Sequence, residues 1–160
     1  MKVIYHCYGG AHSSVIAAAI HLNQLNPAEK PSPDDILKCA YFDEVPPEKQ
    51  GIIHYLGKDE GGHDVFNVGV GGGGAVVEKA FPDLLKIYGH SAEDLYMVDT
   101  LGCVNFPMRL GGFLSRRLGL VNLGRPLVLK GSIMAYPALA KLVGKVKEDV
   151  ARRQSQEPPQ

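Results

Sequence analysis

The chain has 160 residues, the length of one ordinary globular domain, and 45% of them are hydrophobic, which excludes a disordered protein. Seventeen basic and seventeen acidic side chains balance to zero net charge, whereas domains that bind nucleic-acid phosphates are usually basic. Nucleic acid is therefore not an expected partner.

Apolar periodicity and turn residues predict the elements in chain order. The first half contains a strand at 2–7, a helix at 15–22, a short helix begun by Ser32 and Pro33, strands at 52–56 and 63–70, and a helix at 75–88. The second half contains a strand at 95–98, a helix at 106–118, a last strand at 126–129 and a final helix at 139–150.

This alternation of strands and helices predicts a single α/β domain at residues 1–150. We expect about five mostly parallel strands with helices on both faces and the first strand in the centre. Such an arrangement is a three-layer sandwich of Rossmann-like or P-loop-like type. Residues 151–160 are polar and contain two prolines, so they are predicted to form a flexible tail.

The ends and the cysteines favour a cytoplasmic protein. The N-terminus lacks the apolar segment and cleavage site of a signal peptide, and no apolar run approaches ~20 residues. Cys7, Cys39 and Cys103 show no C-x-x-C spacing, so neither a disulfide framework nor a thiolate zinc site is indicated.

The loop between the first strand and the first helix is the main functional candidate. In parallel α/β sheets, ligands bind at the carboxyl ends of strands, and the free N–H groups of a helix start favour an anion. Gly9 and Gly10 allow close approach to the backbone, and Ser13 and Ser14 offer hydroxyl donors. Alternatively, the glycines only make the turn and Ser13 only caps the helix.

His12, Cys7 and Asp99 are the candidate catalytic residues. His12 can donate to a phosphate or act as acid or base, or it can cap the helix. A thiol at a helix N-terminus is a better nucleophile, but a cysteine at a strand end is more commonly a small buried hydrophobe, and both interpretations of Cys7 stay open. Asp99 ends a later strand, as the Walker-B acid of a P-loop protein does.

Two further segments are candidate ligand contacts. The run 69–74 matches G-x-G-x-x-G, so Gly72 and Gly73 belong either to a flexible ligand-side loop or to a tight strand–helix junction. Arg109 lies in the first turn of the helix predicted at 106–118, nearest the loop at 99–105 and close enough to reach an anion, whereas Arg116 and Arg117 are expected at the far end of that helix.

Gly61 and Gly62 predict a hairpin-like turn between the strands at 52–56 and 63–70, and acidic and histidine side chains cluster in this hairpin without forming a ligand motif. They are His54, Asp59, Glu60, His63 and Asp64. Because H-x-x-x-H and H-E-x-x-H spacings are absent, no metal site is predicted. The charge is uneven, with net −6 over residues 1–115 and +6 over 116–160, which indicates a solvated basic helix or a basic rim for an anionic ligand.

Three known loops resemble residues 7–14. The P-loop places a lysine before its hydroxyl residue, and His12 stands at that position before Ser13. The loop of low-molecular-weight phosphatases, C-x5-R, matches Cys7 but has Ser13 in place of the phosphate-binding arginine. The phosphocysteine subunits of sugar phosphotransferase systems match Cys7, Gly10, Ser13 and Ser14, with His12 as the departure.

Over roughly residues 2–147 the chain resembles the bacterial family DUF3189. The resemblance is carried by the segments Tyr8–Ser14, Ala17–Leu22, Leu56–Phe66, Gly111–Arg116, Leu129–Gly131 and Tyr136–Pro137. Ala11 stands where the family pattern usually has threonine. The resemblance implies a soluble protein of Gram-positive type bacteria and supplies no activity.

Two functions of different classes remain open. One is an enzyme that acts on a phosphorylated or nucleotide-like small molecule, and the other is a non-catalytic module for ligand sensing or protein interaction. Both use an anion-binding loop at residues 8–14, and the sequence identifies no cofactor. We expect a small anionic or phosphorylated ligand and no membrane partner, and the sequence is compatible with a homo-oligomer.

Overall fold

The computed structural model describes residues 1–156 of the chain. Its strands and helices are, in chain order, β1 (Lys2–Cys7), α1 (Ser13–His21), α2 (Pro33–Leu37), β2 (Ile53–Lys58), β3 (Asp64–Gly69), α3 (Gly74–Ile87), β4 (Leu95–Asp99), α4 (Phe106–Gly112) and α5 (Val121–Gln156). Short 3-10 turns lie at Pro47–Lys49, Ala92–Asp94 and Leu101–Cys103, and a π-helical turn at Phe113–Arg117 continues α4.

The four strands form one mixed sheet in the order β2-β3-β1-β4. Strand β1 is parallel to β3 and β4, whereas β2 is antiparallel to β3. The prediction of a mostly parallel sheet of about five strands is therefore wrong. The reason is the β2–β3 hairpin, which turns at Gly62 with a φ of 81°, because strands joined by so short a turn pair antiparallel. Strand β1 is internal, as its apolar sequence predicts.

The segment 126–129, predicted as the last strand, belongs to helix α5. A short apolar run does not distinguish a strand from a buried helix segment by its pattern alone. Buried side chains recur along α5 at Val128, Ala135, Leu139 and Val143, which places them on one helical face. That face packs against α1, so tertiary packing decides in favour of the helix.

The sheet has helices on both faces, and the two faces differ in how well they are covered. Val3 and Tyr5 of β1 belong to the large core formed with α1 and α5. Ile4 points to the opposite face and joins a small cluster beneath α3. No residue of α3 is itself buried, so α3 covers its face loosely.

Helix α5 extends to Gln156, so residues 151–156 are helical, whereas the sequence predicts a flexible tail for them. The remaining residues of the predicted tail, 157–160, lie outside the described residues. By length and composition the segment Val121–Ser155 meets the criteria for a membrane-spanning helix. Core helices of soluble proteins meet the same criteria, and the buried face of α5 lies in the core of the domain.

A buried polar network connects β1, α1 and the hairpin. The Tyr5 hydroxyl donates to His21 Nδ1 at 2.7 Å, and His21 Nε2 donates to the Asp59 carboxylate at 2.9 Å. Burial lowers the pKa of His21 although Asp59 acts in the opposite direction.

In the part of the chain that the structure describes, no three His, Cys, Asp or Glu side chains are grouped as metal ligands.

Candidate functional site

A cleft of about 790 Å³ opens at the carboxyl ends of β1 and β4. One wall is the loop between β1 and α1, and the opposite wall is α4 with its π-helical continuation. Three arginines and one carboxylate line the cleft, and they are Arg109, Arg116, Arg117 and Glu48. The apolar lining includes Val45, Leu101, Val104, Met108 and Phe113.

The β1–α1 loop is shaped by its contact with the end of β3. Gly10 has a φ of 66°, and a Cβ atom at this position would lie 2.5 Å from the backbone nitrogen of Gly69. Glycine is thus required at position 10 for packing within the protein. Gly9, in contrast, lines the cleft, and a Cβ atom there would meet no protein atom within 4 Å.

The first turn of α1 presents backbone donors at the cleft. The first N–H groups of an α-helix have no acceptor within the helix. Among the described residues no acceptor is found for the N–H groups of residues 11–14, and three of the four residues, Ala11, His12 and Ser13, line the cleft. The helix dipole adds partial positive charge at the same place.

Cys7 lies at the end of β1, with 5% of its surface exposed, and lines the cleft. Its Sγ accepts the N–H of Gly10 at 3.2 Å and lies 3.2 Å from the hydroxyl oxygen of Ser14. Burial and Asp35 raise the pKa of the Cys39 thiol to about 11, and burial and Asp99 raise the pKa of the Cys103 thiol.

His12 is held by a buried carboxylate. Its Nε2 lies 3.0 Å from Oδ1 of Asp43, and its ring packs edge-on against Phe42. The histidine Nδ1 has no hydrogen-bond partner within residues 1–156, and it faces Gly112, where a Cβ atom would lie 3.3 Å from it. One ring nitrogen is therefore fixed by the protein, and the other is unpaired.

Asp43 also holds two arginines and a serine. Its carboxylate accepts the Ser115 hydroxyl at 2.5 Å and the Arg125 Nε–H at 3.0 Å. Arg116 forms an ion pair with it, with Nε 3.1 Å from Oδ1, and the same Nε–H donates to the Ser115 hydroxyl oxygen at 3.2 Å. Burial would raise the pKa of Asp43, but the hydrogen bonds from His12, Ser115 and Arg125 outweigh burial and lower it to about 2. Asp43 is thus an anion that joins both walls of the cleft.

Sequence reasoning did not identify Asp43. The residue lies in an irregular segment with a φ of 53°, and its partners come from positions 12, 115, 116 and 125. No local motif connects positions so far apart, so the sequence carries no signal for this group. Arg116 and Arg117 also reach the cleft, although their place in the predicted helix put them at its far end, because the π-helical turn continues the cleft wall.

The predicted residues separate into those at the cleft and those outside its lining. Cys7, Gly9, His12, Ser13 and Arg109 line it. The hydroxyl of Ser13 lies 2.9 Å from the hydroxyl of Thr100. Because the Thr100 hydroxyl already donates its hydrogen to the carbonyl of His6, Ser13 is the donor in this pair.

Asp99, Gly10, Ser14, Gly72 and Gly73 are outside the lining. Asp99 accepts the N–H of Leu101, and Gly73 precedes the first turn of α3.

These features define a mixed α/β protein with an arginine-lined cleft at the carboxyl end of an internal strand. The family model described as "Protein of unknown function (DUF3189)" matches residues 2–148, and the chain belongs to this family. Neither the curated proteins nor the solved structures contain a match to the chain.

Proposed function

We propose that the cleft binds a phosphorylated small molecule, with the phosphate between the β1–α1 loop and the arginines of α4 and its π-helical continuation. The observation that carries this proposal is the placement of Arg109, Arg116 and Arg117 opposite the unpaired N–H groups of the α1 start. Guanidinium groups and helix N-termini are both favourable partners for phosphate oxygens. Of these arginines, Arg116 is already paired with Asp43, which leaves Arg109 and Arg117 as the main cationic contacts.

The size and lining of the cleft support an organic ligand rather than a bare ion. Small-molecule sites usually have volumes of roughly 300–1,000 Å³, and this cleft has about 790 Å³. Val104, Met108 and Phe113 offer an apolar wall for the remainder of the ligand. We also propose that the protein is cytoplasmic and bacterial, and that its ligand lies where Rossmann-like or P-loop-like folds place theirs. The position of the cleft at the end of a strand supports this ligand placement.

Isothermal titration with inorganic phosphate, a nucleoside monophosphate and the uncharged nucleoside tests the proposal. We expect the monophosphate to bind more tightly than phosphate, and the nucleoside to bind at least tenfold more weakly than the monophosphate, because a charge-assisted hydrogen bond contributes about 1.5–3 kcal/mol. Absence of binding by both phosphate compounds contradicts the proposal.

Two pairs of variants locate the binding site. Gly9→Leu adds a side chain on the cleft lining, at a Cβ position with no protein atom within 4 Å, and is expected to abolish binding. Gly72→Leu adds the same side chain at a Cβ position that is equally open but outside the cleft lining. Arg109→Gln is expected to weaken monophosphate binding about tenfold, and Arg152→Gln, on the exposed end of α5, is its control. Equal affinities within each pair would place the ligand elsewhere.

A further inference from the structure

Cys7 places a sulfur atom with polar partners in the lining of the cleft. A thiol that only fills space needs no such partners, yet the Gly10 N–H donates to Cys7 Sγ at 3.2 Å, and the Ser14 hydroxyl lies 3.2 Å from the sulfur, where either group can be the donor. The sulfur of Cys39 has the opposite role, because it donates to the carbonyl of Asp35. Donors directed at sulfur remain bonded when it carries negative charge, and the thiolate is the reactive form of cysteine.

A proton donor and acceptor lines the same cleft. His12 is fixed through Nε2 by Asp43, and its Nδ1 is unpaired in the described chain. A carboxylate that orients one histidine nitrogen leaves the other for proton transfer, and such an acid or base commonly accompanies a cysteine nucleophile. Arg109 and Arg117 supply the positive charge that a transferring phosphoryl group needs.

We propose that Cys7 is the nucleophile of a phosphate-monoester hydrolysis that proceeds through phosphocysteine, an inference that rests on the proposed phosphate site. In the first step Cys7 attacks as the thiolate, after its thiol proton has passed to His12; the Sγ–P bond forms and the ester P–O bond breaks. The electron pair of that bond leaves on the ester oxygen, which takes a proton from His12. In the second step water attacks phosphorus and gives a proton to His12, and the S–P electron pair returns to sulfur. The products are an alcohol and inorganic phosphate.

Orthovanadate is the first probe, since it takes the five-coordinate geometry of phosphoryl transfer and bonds to the attacking atom. Transition-state analogues bind at least ~10²-fold more tightly than ground-state ligands. We therefore expect vanadate to bind the full chain about 100-fold more tightly than phosphate. In Cys7→Ser the ratio of vanadate affinity to phosphate affinity falls to about one, whereas Cys103→Ser, outside the cleft lining, retains the wild-type ratio. Cys7→Ala provides a second test if the serine variant does not fold.

The second probe is p-nitrophenyl phosphate with mass spectrometry of the quenched reaction. We expect p-nitrophenol release, one phosphoryl group on the peptide that contains Cys7, and loss of both in Cys7→Ser. His12→Asn is expected to slow phenyl phosphate, whose leaving group needs a proton, about 100-fold and p-nitrophenyl phosphate much less.

The failure of this inference is distinguishable from failure of the binding proposal. Phosphate binding without turnover, labelling or a vanadate advantage overturns the role of Cys7 and leaves a non-catalytic binding module. No binding of phosphate or monoester overturns both.

Discussion

Asp43 is a single buried side chain that determines how both walls of the cleft are held together. It pairs with His12 on the loop side and with Ser115 and Arg116 on the α4 side, while its backbone N–H donates to the Ala11 carbonyl at 2.9 Å. A buried ion pair is costly when one partner is removed, because the remaining charges lose their compensation. The carboxylate therefore stabilises both the fold and the orientation of His12.

The stability of the protein is expected to fall at acid pH through this residue. The pKa of Asp43 is lowered to about 2 in the folded chain, so its stabilising contribution is complete above pH ~4 and is lost as the pH falls through ~2. Asp43→Asn should lower the free energy of unfolding by about 2 kcal/mol at pH 7 and by much less near pH 2. Urea unfolding followed by circular dichroism at both pH values measures this, with the exposed Asp34→Asn as control. A constant difference between Asp43→Asn and wild type at the two pH values contradicts the assignment.

At the scale of elements, α4 and α5 pack with their backbones in close contact. A Cβ atom at Gly111 would lie 2.6 Å from the backbone nitrogen of Val128, and one at Gly124 would lie 2.5 Å from that of Ser115. Gly131 is equally close to Met108. These glycines position α4, which carries Arg109, and its π-helical continuation, which carries Arg116 and Arg117.

Gly111→Ala is therefore expected to destabilise the protein although alanine favours helices. The added methyl group meets backbone atoms that cannot rotate away, and overpacking of this kind costs about 1–3 kcal/mol or more. Gly144→Ala in α5 is the matched control, because nothing lies within 4 Å of its Cβ position and the substitution should add roughly 0.5–1 kcal/mol of stability. Thermal unfolding of both variants measures the difference. A stabilised Gly111→Ala protein would mean that α4 and α5 are farther apart.

The elements that the sequence predicts correctly are those with strong local signals. The apolar run of β1, the capping residues Ser32 and Pro33, and the glycine turn of the hairpin all specify their structure within a few residues. The helical state of residues 126–129 depends on packing between α4, α5 and α1, which local pattern does not contain. The sequence predicts the loop at residues 8–14 as a candidate site from adjacent residues alone. The contacts of Asp43 and the position of Arg117 in the cleft lining depend on tertiary structure.

Across the whole molecule, stability is concentrated on one face of the sheet. The core shared by β1, α1 and α5 contains most of the fully buried side chains, including Ile16, Ile20 and Leu139. The opposite face has a small cluster around Ile4 and a groove of about 520 Å³ between α3 and the sheet. Ile87 at the end of α3 is 76% exposed and no residue of α3 is buried, so α3 contributes little apolar burial.

Hydrogen exchange should therefore be faster in α3 than in α1 or the middle of α5. Segments with few buried contacts open locally at a free energy well below that of global unfolding. We expect amides of residues 76–87 to exchange roughly tenfold or more faster than those of residues 16–21, measured by mass spectrometry on dilute protein. Equal protection in dilute protein contradicts the loose packing of α3.

The same experiment at high protein concentration tests the homo-oligomer. A second copy that covers the groove beside α3 would slow exchange in α3 as the concentration rises, because mass action increases the fraction of bound chains. Exchange in α1 would stay unchanged, because the second copy does not cover α1.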